Sequence, residues 1–216
     1  MNPNPSFDDS LLSEFTASDT LVAGVDEVGR GALFGSVVAA TVVVPIAKLP
    51  KLIEIGVKDS KRLSANKRQE LIPQIKQVAA DCCIGFASVD EIDRLNILQA
   101  SLLAMRRSIV ELKLAPHICL VDGKFPIPDL ALTQKTIIKG DARSPAIAAA
   151  SILAKVWRDE LIVALADKYP EYNLARNKGY PTSDHRLAIQ KFGITPEHRR
   201  SFKSCQNFPL DKLRSP

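Results

Sequence analysis

At 216 residues, 46% hydrophobic and 25% charged, the chain has the size and composition of one globular domain with a sizeable core. No apolar run approaches a membrane span, and the opening MNPNPSFDDSLLSEF lacks the basic-then-apolar order of a secretory signal. The net charge of +5 is uneven: from Arg176 onward nine Lys and Arg face three Asp and Glu, out of 29 and 24 in all, so the rest of the chain is close to neutral. Such a basic stretch is either a solvated tail or a polyanion-facing arm that releases phosphate counterions on binding.

Residues 1–18, rich in proline, asparagine and acids, are expected to form a flexible tail. Residues 21–28 and 36–44 are rich in β-branched residues and joined through a glycine turn, which predicts a hairpin. A proline-bounded link follows, then a helix from Ser64 as N-cap to about Ala80, with Pro73 expected to bend it. CCIGFASV (82–89) predicts a third strand, and a long helix carries Leu95, Leu98, Leu102, Met105, Ile109 and Leu112 along one core-facing stripe. HICLVDG (117–123) and TQKTIIKGD (133–141) predict the last two strands. The stretch 144–169 predicts a helix capped by Ser144 with Pro145 at its first position. Shorter helices are expected from Thr182 to Gly193 and from Thr195-Pro196 onward. The cysteines (Cys82, Cys83, Cys119, Cys205) form no CxxC pair and lie away from the three histidines, so neither zinc nor a disulfide framework is indicated and a reducing cytoplasm is the expected compartment. The predicted class is α/β over 19–175, with a basic helical extension over 176–216.

Four carboxylates share one placement: Asp26, Glu27, Asp122 and Asp141 each end or follow a strand-like apolar run. Taken singly, an Asp before Gly is most simply a turn residue bonding its own backbone. Together, at strand ends where open α/β sheets place their sites, they suggest a shared centre. Clustered acids repel one another, and hard oxygen donors resolve this by binding Mg²⁺ or Mn²⁺. Two such ions can clamp the attacking and leaving oxygens of a phosphodiester. In a regular strand Asp26 and Glu27 point to opposite faces, so both join one site only if the strand ends or bulges there.

GRGALFG is not a dinucleotide fingerprint, because the third glycine position holds Phe34 and two acids precede the loop. Gly29 and Gly31 instead free the backbone to approach a ligand, with Arg30 available to a phosphate. A plain hairpin turn explains the glycines but not the acids beside them.

The ordered set DEVGRG (26–31), DSKRLS (59–64), LVDG, KGD followed by AAASILAKVWRD, NKGYPTSDH (177–185) and HRRSF (198–202) resembles bacterial ribonuclease HII over roughly residues 21–203. The resemblance implies a ribonuclease H-like fold with a mixed five-stranded sheet flanked by helices. It implies an endonuclease that hydrolyses the RNA strand of RNA–DNA hybrids and nicks DNA 5′ of embedded ribonucleotides. Asp26, Glu27, Asp122 and Asp141 would then be the catalytic, metal-binding acids. It further assigns Gly29, Arg30 and Gly31 to the ribose 2′-hydroxyl, Tyr180 to the adjoining deoxyribose, and Lys61 and Ser151 to phosphate. Read without it, Tyr180 is a packed loop anchor, Lys61 a solvated lysine and Ser151 a close-packing serine. Asp159 is a rival for the fourth acid, but four residues from Lys155 within a helix it reads as an ion pair. Ala32, Ser36 and Trp157 depart from the family pattern, at positions that bear on turn rigidity and substrate placement. The expected protein is a monomer without a membrane partner. A metal-dependent 3′ exonuclease and a non-catalytic hybrid-binding module are the alternatives.

Overall fold

The computed structural model describes residues 19–208, so the expected tail at 1–18 and the end of the basic extension at 209–216 lie outside the described residues. Five strands, β1 (Leu21–Val28), β2 (Val37–Pro45), β3 (Asp81–Ala87), β4 (Ile118–Asp122) and β5 (Gln134–Ile137), form one sheet in the order β3-β2-β1-β4-β5. β1 pairs antiparallel with β2, and β2 with β3, while β4 runs parallel to both β1 and β5. The sheet is therefore mixed. β2, VVAATVVVP, is buried at every residue but its last, as its interior position and apolar sequence require.

Helices cover both faces. Against one pack α1 (Leu49–Glu54), α2 (Ala65–Val78) and α5 (Pro145–Ala164), around Val22, Leu120, Leu71 and Ile147. Against the other pack α3 (Val89–Leu95) and α4 (Ile97–Val110), around Val25, Val121, Ile92 and Met105. A third cluster joins Phe34, Ile162, Tyr172 and Ile189, and ties α6 (Leu174–Asn177) and α7 (Ser183–Phe192) to the loop after β1.

Locally encoded features are where the sequence places them. Ser64 caps α2 by accepting from the Lys67 N–H, Ser144 caps α5 with Pro145 behind it, and Thr182 caps α7, which ends at Gly193. Four expectations are corrected. The proline-bounded link contains α1, because Leu49 and Leu52 have a core to enter. The stripe from Leu95 to Leu112 is not one helix. Asn96, at φ 73°, ends α3 and then caps α4, its Oδ1 accepting from the N–H groups of Leu98 and Gln99 at 3.0 and 3.2 Å. Asparagine tolerates that backbone and its short amide satisfies the orphan donors.

The strand expected over 133–141 is confined to Gln134–Ile137. Lys139 turns left-handed at φ 56°, and Gly140–Ala142 forms a single 3₁₀ turn carrying Asp141. No helix starts at Thr195-Pro196. The backbone there is used elsewhere: the Gly35 N–H donates to the Glu197 carbonyl at 2.8 Å and the Arg199 N–H to the Leu33 carbonyl at 2.9 Å, bridging Phe34 to His198.

Candidate active site

The parallel strands β1 and β4 end side by side and deliver Asp26, Glu27 and Asp122 to one end of the sheet. A carboxylate oxygen from each lies within 4.8 Å of the others. The strand does not bulge: β2 pairing continues in register through Asp26↔Ala40, Glu27↔Ala39 and Val28↔Val38. On the other side the β4 ladder stops at Val25↔Val121. Asp26 and Asp122 share the α5 face, and Glu27, two residues past the end of that ladder, can turn into the same space.

Each acid is held by local structure. Asp26 Oδ1 accepts the Glu27 N–H at 2.7 Å, and Ser151 of α5 hydrogen-bonds the same carboxyl. Asp122 Oδ1 accepts the Gly140 N–H at 2.6 Å. A Cβ at 140 would lie 2.5 Å from Ile147 Cδ1 and 3.1 Å from Asp122 Oδ1, so a larger residue there would have to displace the Ile147 side chain beside the acid. Glu27 pairs with Arg30 at 3.1 Å. Asp141 lies outside the tight cluster, but its charge acts on both Asp26 and Asp122, and its Oδ2 accepts from Lys61 Nζ at 3.1 Å.

Burial, followed by the charges of Glu27, Asp122 and Asp141, pushes the Asp26 carboxyl well above the usual carboxylate range. Burial also raises Glu27, against the pull of Arg30, and raises Asp122, against the Gly140 N–H. Burial would lower Lys61, but the Asp141 carboxylate, helped by Asp26 and Asp59, outweighs it and leaves the ammonium raised. Three acids, Asp26 buried and Glu27 and Asp122 half-buried, that cannot comfortably ionise together and offer oxygen and no nitrogen or sulfur, suit a hard divalent cation. Asp26, Glu27 and Asp122 would hold it, with Asp141 adjacent.

The electrostatics carry a stability prediction. A carboxyl whose folded-state pKa is raised costs stability once ionised, so the metal-free protein gains stability as pH falls from neutral through that raised pKa. Asp26→Asn is expected to raise the melting temperature in EDTA at neutral pH by a few degrees and to flatten its pH dependence. Added Mg²⁺ or Mn²⁺ should stabilise the wild type more than the variant. Thermal unfolding with and without metal checks this, and a variant that melts lower in EDTA would contradict it.

Asp26, Glu27 and Asp122, but not Asp141, line a cleft of 480 Å³, whose walls also carry Gly29, Arg30, Lys61, Ser151 and Tyr180. Ser60 and Lys155 line it too, and neither was singled out from the sequence as a site residue. Ser60 Oγ lies 2.9 Å from Ser151 Oγ. Lys155 is one helical turn beyond Ser151 and so shares its face, a spacing that could have identified it. Its Nζ pairs with Asp159 at 2.8 Å, as expected for that acid, and stands 5.3 Å from the Tyr180 ring centroid.

The glycine turn closes through an Ala32 N–H to Gly29 carbonyl bond of 3.2 Å, a donor that proline at 32 would lack. The two glycines serve different ends. Gly29 has φ 93°, and a Cβ there would lie 2.1 Å from Arg158 Nε, whereas a Cβ on Gly31 would meet nothing within 4 Å. Gly31 is exposed and, unlike Gly29 and Arg30, does not line the cleft. Arg158, fully buried in α5, donates to the carbonyls of Ser36, Lys178 and Phe34 at 3.1, 2.9 and 2.9 Å. With the Leu33 N–H donating to the Gly179 carbonyl at 2.8 Å, this locks the Gly29–Gly31 loop to the Tyr180 turn.

Arg199 corrects one reading of the basic extension. It is fully buried and donates to the carbonyls of Arg30 and Gly35, so it is no phosphate contact. Arg176, Arg186, Lys191, Arg200 and Lys203 remain exposed. Trp157, a family departure, stacks on Phe86 with centroids 6.1 Å apart. Among the described residues no helix is long and apolar enough to cross a membrane.

This sheet, with acids gathered where β1 and β4 end, is the architecture of ribonuclease H-type hydrolases. The ribonuclease H2 of Pyrococcus horikoshii OT3 superposes with a TM-score of 0.73 at 28% identity, covering 87% of this chain and 96% of that one. The family model for ribonuclease HII matches residues 23–205. The ribonuclease HII of Trichormus variabilis is 59% identical over 186 residues, 86% of this chain and 83% of its own. That of Synechococcus elongatus is 51% identical over 213 residues, 99% of both chains. The chain belongs to the ribonuclease HII family. It is accordingly a ribonuclease H, a divalent-metal-dependent hydrolase of RNA paired with DNA.

Proposed function

We propose that the protein, beyond cutting hybrids, nicks duplex DNA on the 5′ side of embedded ribonucleotides, leaving a 3′-hydroxyl and a 5′-phosphate. Asp26, Glu27, Asp122 and Asp141 would hold two Mg²⁺ or Mn²⁺ ions, which when bound supply activated water and neutralise charge on the reacting phosphate. The observation that carries the reading is the convergence of three elements on one cleft. These are the carboxylate cluster, the Gly29–Arg30 start of the glycine turn, and Tyr180.

In this reading the Gly29–Arg30–Gly31 backbone meets the 2′-hydroxyl of the ribose before the junction. Tyr180 packs on the deoxyribose after it, where a further 2′-hydroxyl would clash. Lys61 holds the phosphate while paired to Asp141, and Ser151 orients Asp26 beside it. The exposed Arg and Lys residues of the C-terminal segment contribute salt-sensitive affinity for the duplex backbone. We assign the protein to the cytoplasm as a monomer, consistent with four free cysteines, two of them buried.

Tyr180→Ala tests the assignment. It is expected to slow single-turnover cleavage at a lone ribonucleotide by about 10- to 100-fold, because placement of the phosphate is lost in the reactive geometry. Binding to plain duplex and the melting temperature should change little, and Tyr180→Phe should be milder. An alanine variant that folds normally and cuts at the wild-type rate would make Tyr180 a loop anchor only.

A further inference from the structure

His185 in α7 and His198 in the bridge to Phe34 are both fully buried, and their Nε2 atoms lie 3.1 Å apart. Neither lines the acidic cleft. We propose that this pair is a tautomer-locked relay that positions Tyr180, making His185 and His198 positioning residues for recognition of the ribonucleotide junction. The proposal rests on the role given to Tyr180 above.

One obligatory donor sets the protons of both rings. The Thr195 backbone N–H points at His198 Nδ1 from 3.0 Å. A backbone amide can only donate, so this Nδ1 carries a lone pair. The Thr195 hydroxyl, 2.9 Å from the same atom, itself accepts the Glu197 N–H at 3.3 Å and is free to donate as well. Neutral His198 must then carry its proton on Nε2 and donate it to His185 Nε2. That leaves His185 with its proton on Nδ1, which lies 3.0 Å from the Tyr180 carbonyl oxygen. The opposite tautomer of His185 would set two N–H groups against each other and a lone pair against a carbonyl oxygen.

The surroundings keep both rings neutral. Burial, and for His198 also the neighbouring His185, lowers both pKa values, that of His198 to about 3. Phe34 and Tyr172 close around His198 with ring centroids at 5.1 and 4.8 Å.

What the relay joins makes it functional. Its near end adjoins the bridge that backs the glycine loop, where the backbone of residues 197 and 199 bonds Gly35 and Leu33. Its far end fixes the Tyr180 carbonyl, which also accepts the Thr182 N–H at 2.8 Å. Holding that peptide fixes the tyrosine Cα and so the point from which its ring projects, with Lys155 Nζ and Arg158 Cζ each 5.3 Å from the ring centroid. The relay thereby sets the spacing between the two elements assigned to ribose and deoxyribose.

Two measurements on the full chain test this. Imidazole nitrogen NMR with isotope-labelled histidine, at neutral pH without substrate, should show His185 protonated at Nδ1 and His198 at Nε2. The reverse tautomer on either ring, or a charged ring, overturns the proposal. In the second, His185→Phe should slow single-turnover cleavage of a single-ribonucleotide duplex by about tenfold while leaving a long hybrid within about twofold, since placement alone is lost. His185→Asn, whose amide can stand where the Nδ1–H stood, should recover part of that loss. A phenylalanine variant that keeps the wild-type ratio of the two activities overturns the relay. If that variant fails to fold, the asparagine variant and the spectra decide. A wild-type protein that leaves the single-ribonucleotide duplex intact overturns the proposed function instead, and the tautomers are then judged on the spectra alone.

Discussion

Asp122→Asn is expected to lower cleavage by at least about a thousandfold while leaving affinity for substrate intact or higher. Charge stabilisation by bound divalent metal is worth several kcal/mol at the transition state, and each ~1.4 kcal/mol is tenfold in rate. Asp122 lies within 4.8 Å of Asp26 and Glu27, so removing its charge disables the cluster that would hold the metal. The same change reduces the negative field facing an incoming phosphate, hence the retained or tighter binding. The fold should survive, because an asparagine amide oxygen can still accept the Gly140 N–H that Asp122 Oδ1 now accepts at 2.6 Å. Paired binding and single-turnover assays check this, and near-normal turnover would remove Asp122 from the chemistry.

The second large effect is on the scaffold. Gly24→Ala would place a Cβ 2.1 Å from the backbone carbon of Ala146 and 2.4 Å from the Ile147 nitrogen. Backbone on both sides leaves no side chain to swing away, so β1 and the start of α5 must separate. A loss on the order of 3 kcal/mol or more is expected, a large fraction of an ordinary domain's stability. Gly24 and Asp26 lie on the same face of β1, and Ala146 is on the helix that carries Ser151, so the shift would also pull Asp26 from its serine. Thermal or denaturant unfolding measures the loss. A variant as stable as the wild type would contradict the close packing of β1 on α5.

The sequence was most legible where the signal is local. Ser64, Ser144-Pro145 and Thr182 mark helix starts by their own side chains, and the β-branched runs mark β1 and β2. The acids stood out because each interrupts an apolar run, and three of them meet as that pattern suggested. The roles assigned to Gly29–Gly31, Lys61, Ser151 and Tyr180 came with the family resemblance, since spacing alone left Tyr180 a loop anchor. What escaped depends on distant partners. Leu95 to Leu112 keep helical periodicity across Asn96, so only the backbone of Asn96 reveals the break. Arg158 and Arg199 look like surface charge, yet each is buried against carbonyls more than 120 residues away in sequence. The ladder that ends at Val25↔Val121, letting Glu27 join Asp26 without a bulge, is likewise set by a strand nearly a hundred residues on.

The central claim is that these acids and the two loops beside them form a junction-reading endonuclease. It is tested most directly by incubating a DNA duplex containing one ribonucleotide with the protein and Mg²⁺ or Mn²⁺, then mapping the product ends. The account predicts a single nick 5′ of the ribonucleotide, with a 3′-hydroxyl and a 5′-phosphate, and no cut in the matching all-DNA duplex. An intact substrate, or DNA shortened progressively from its 3′ ends, would contradict it.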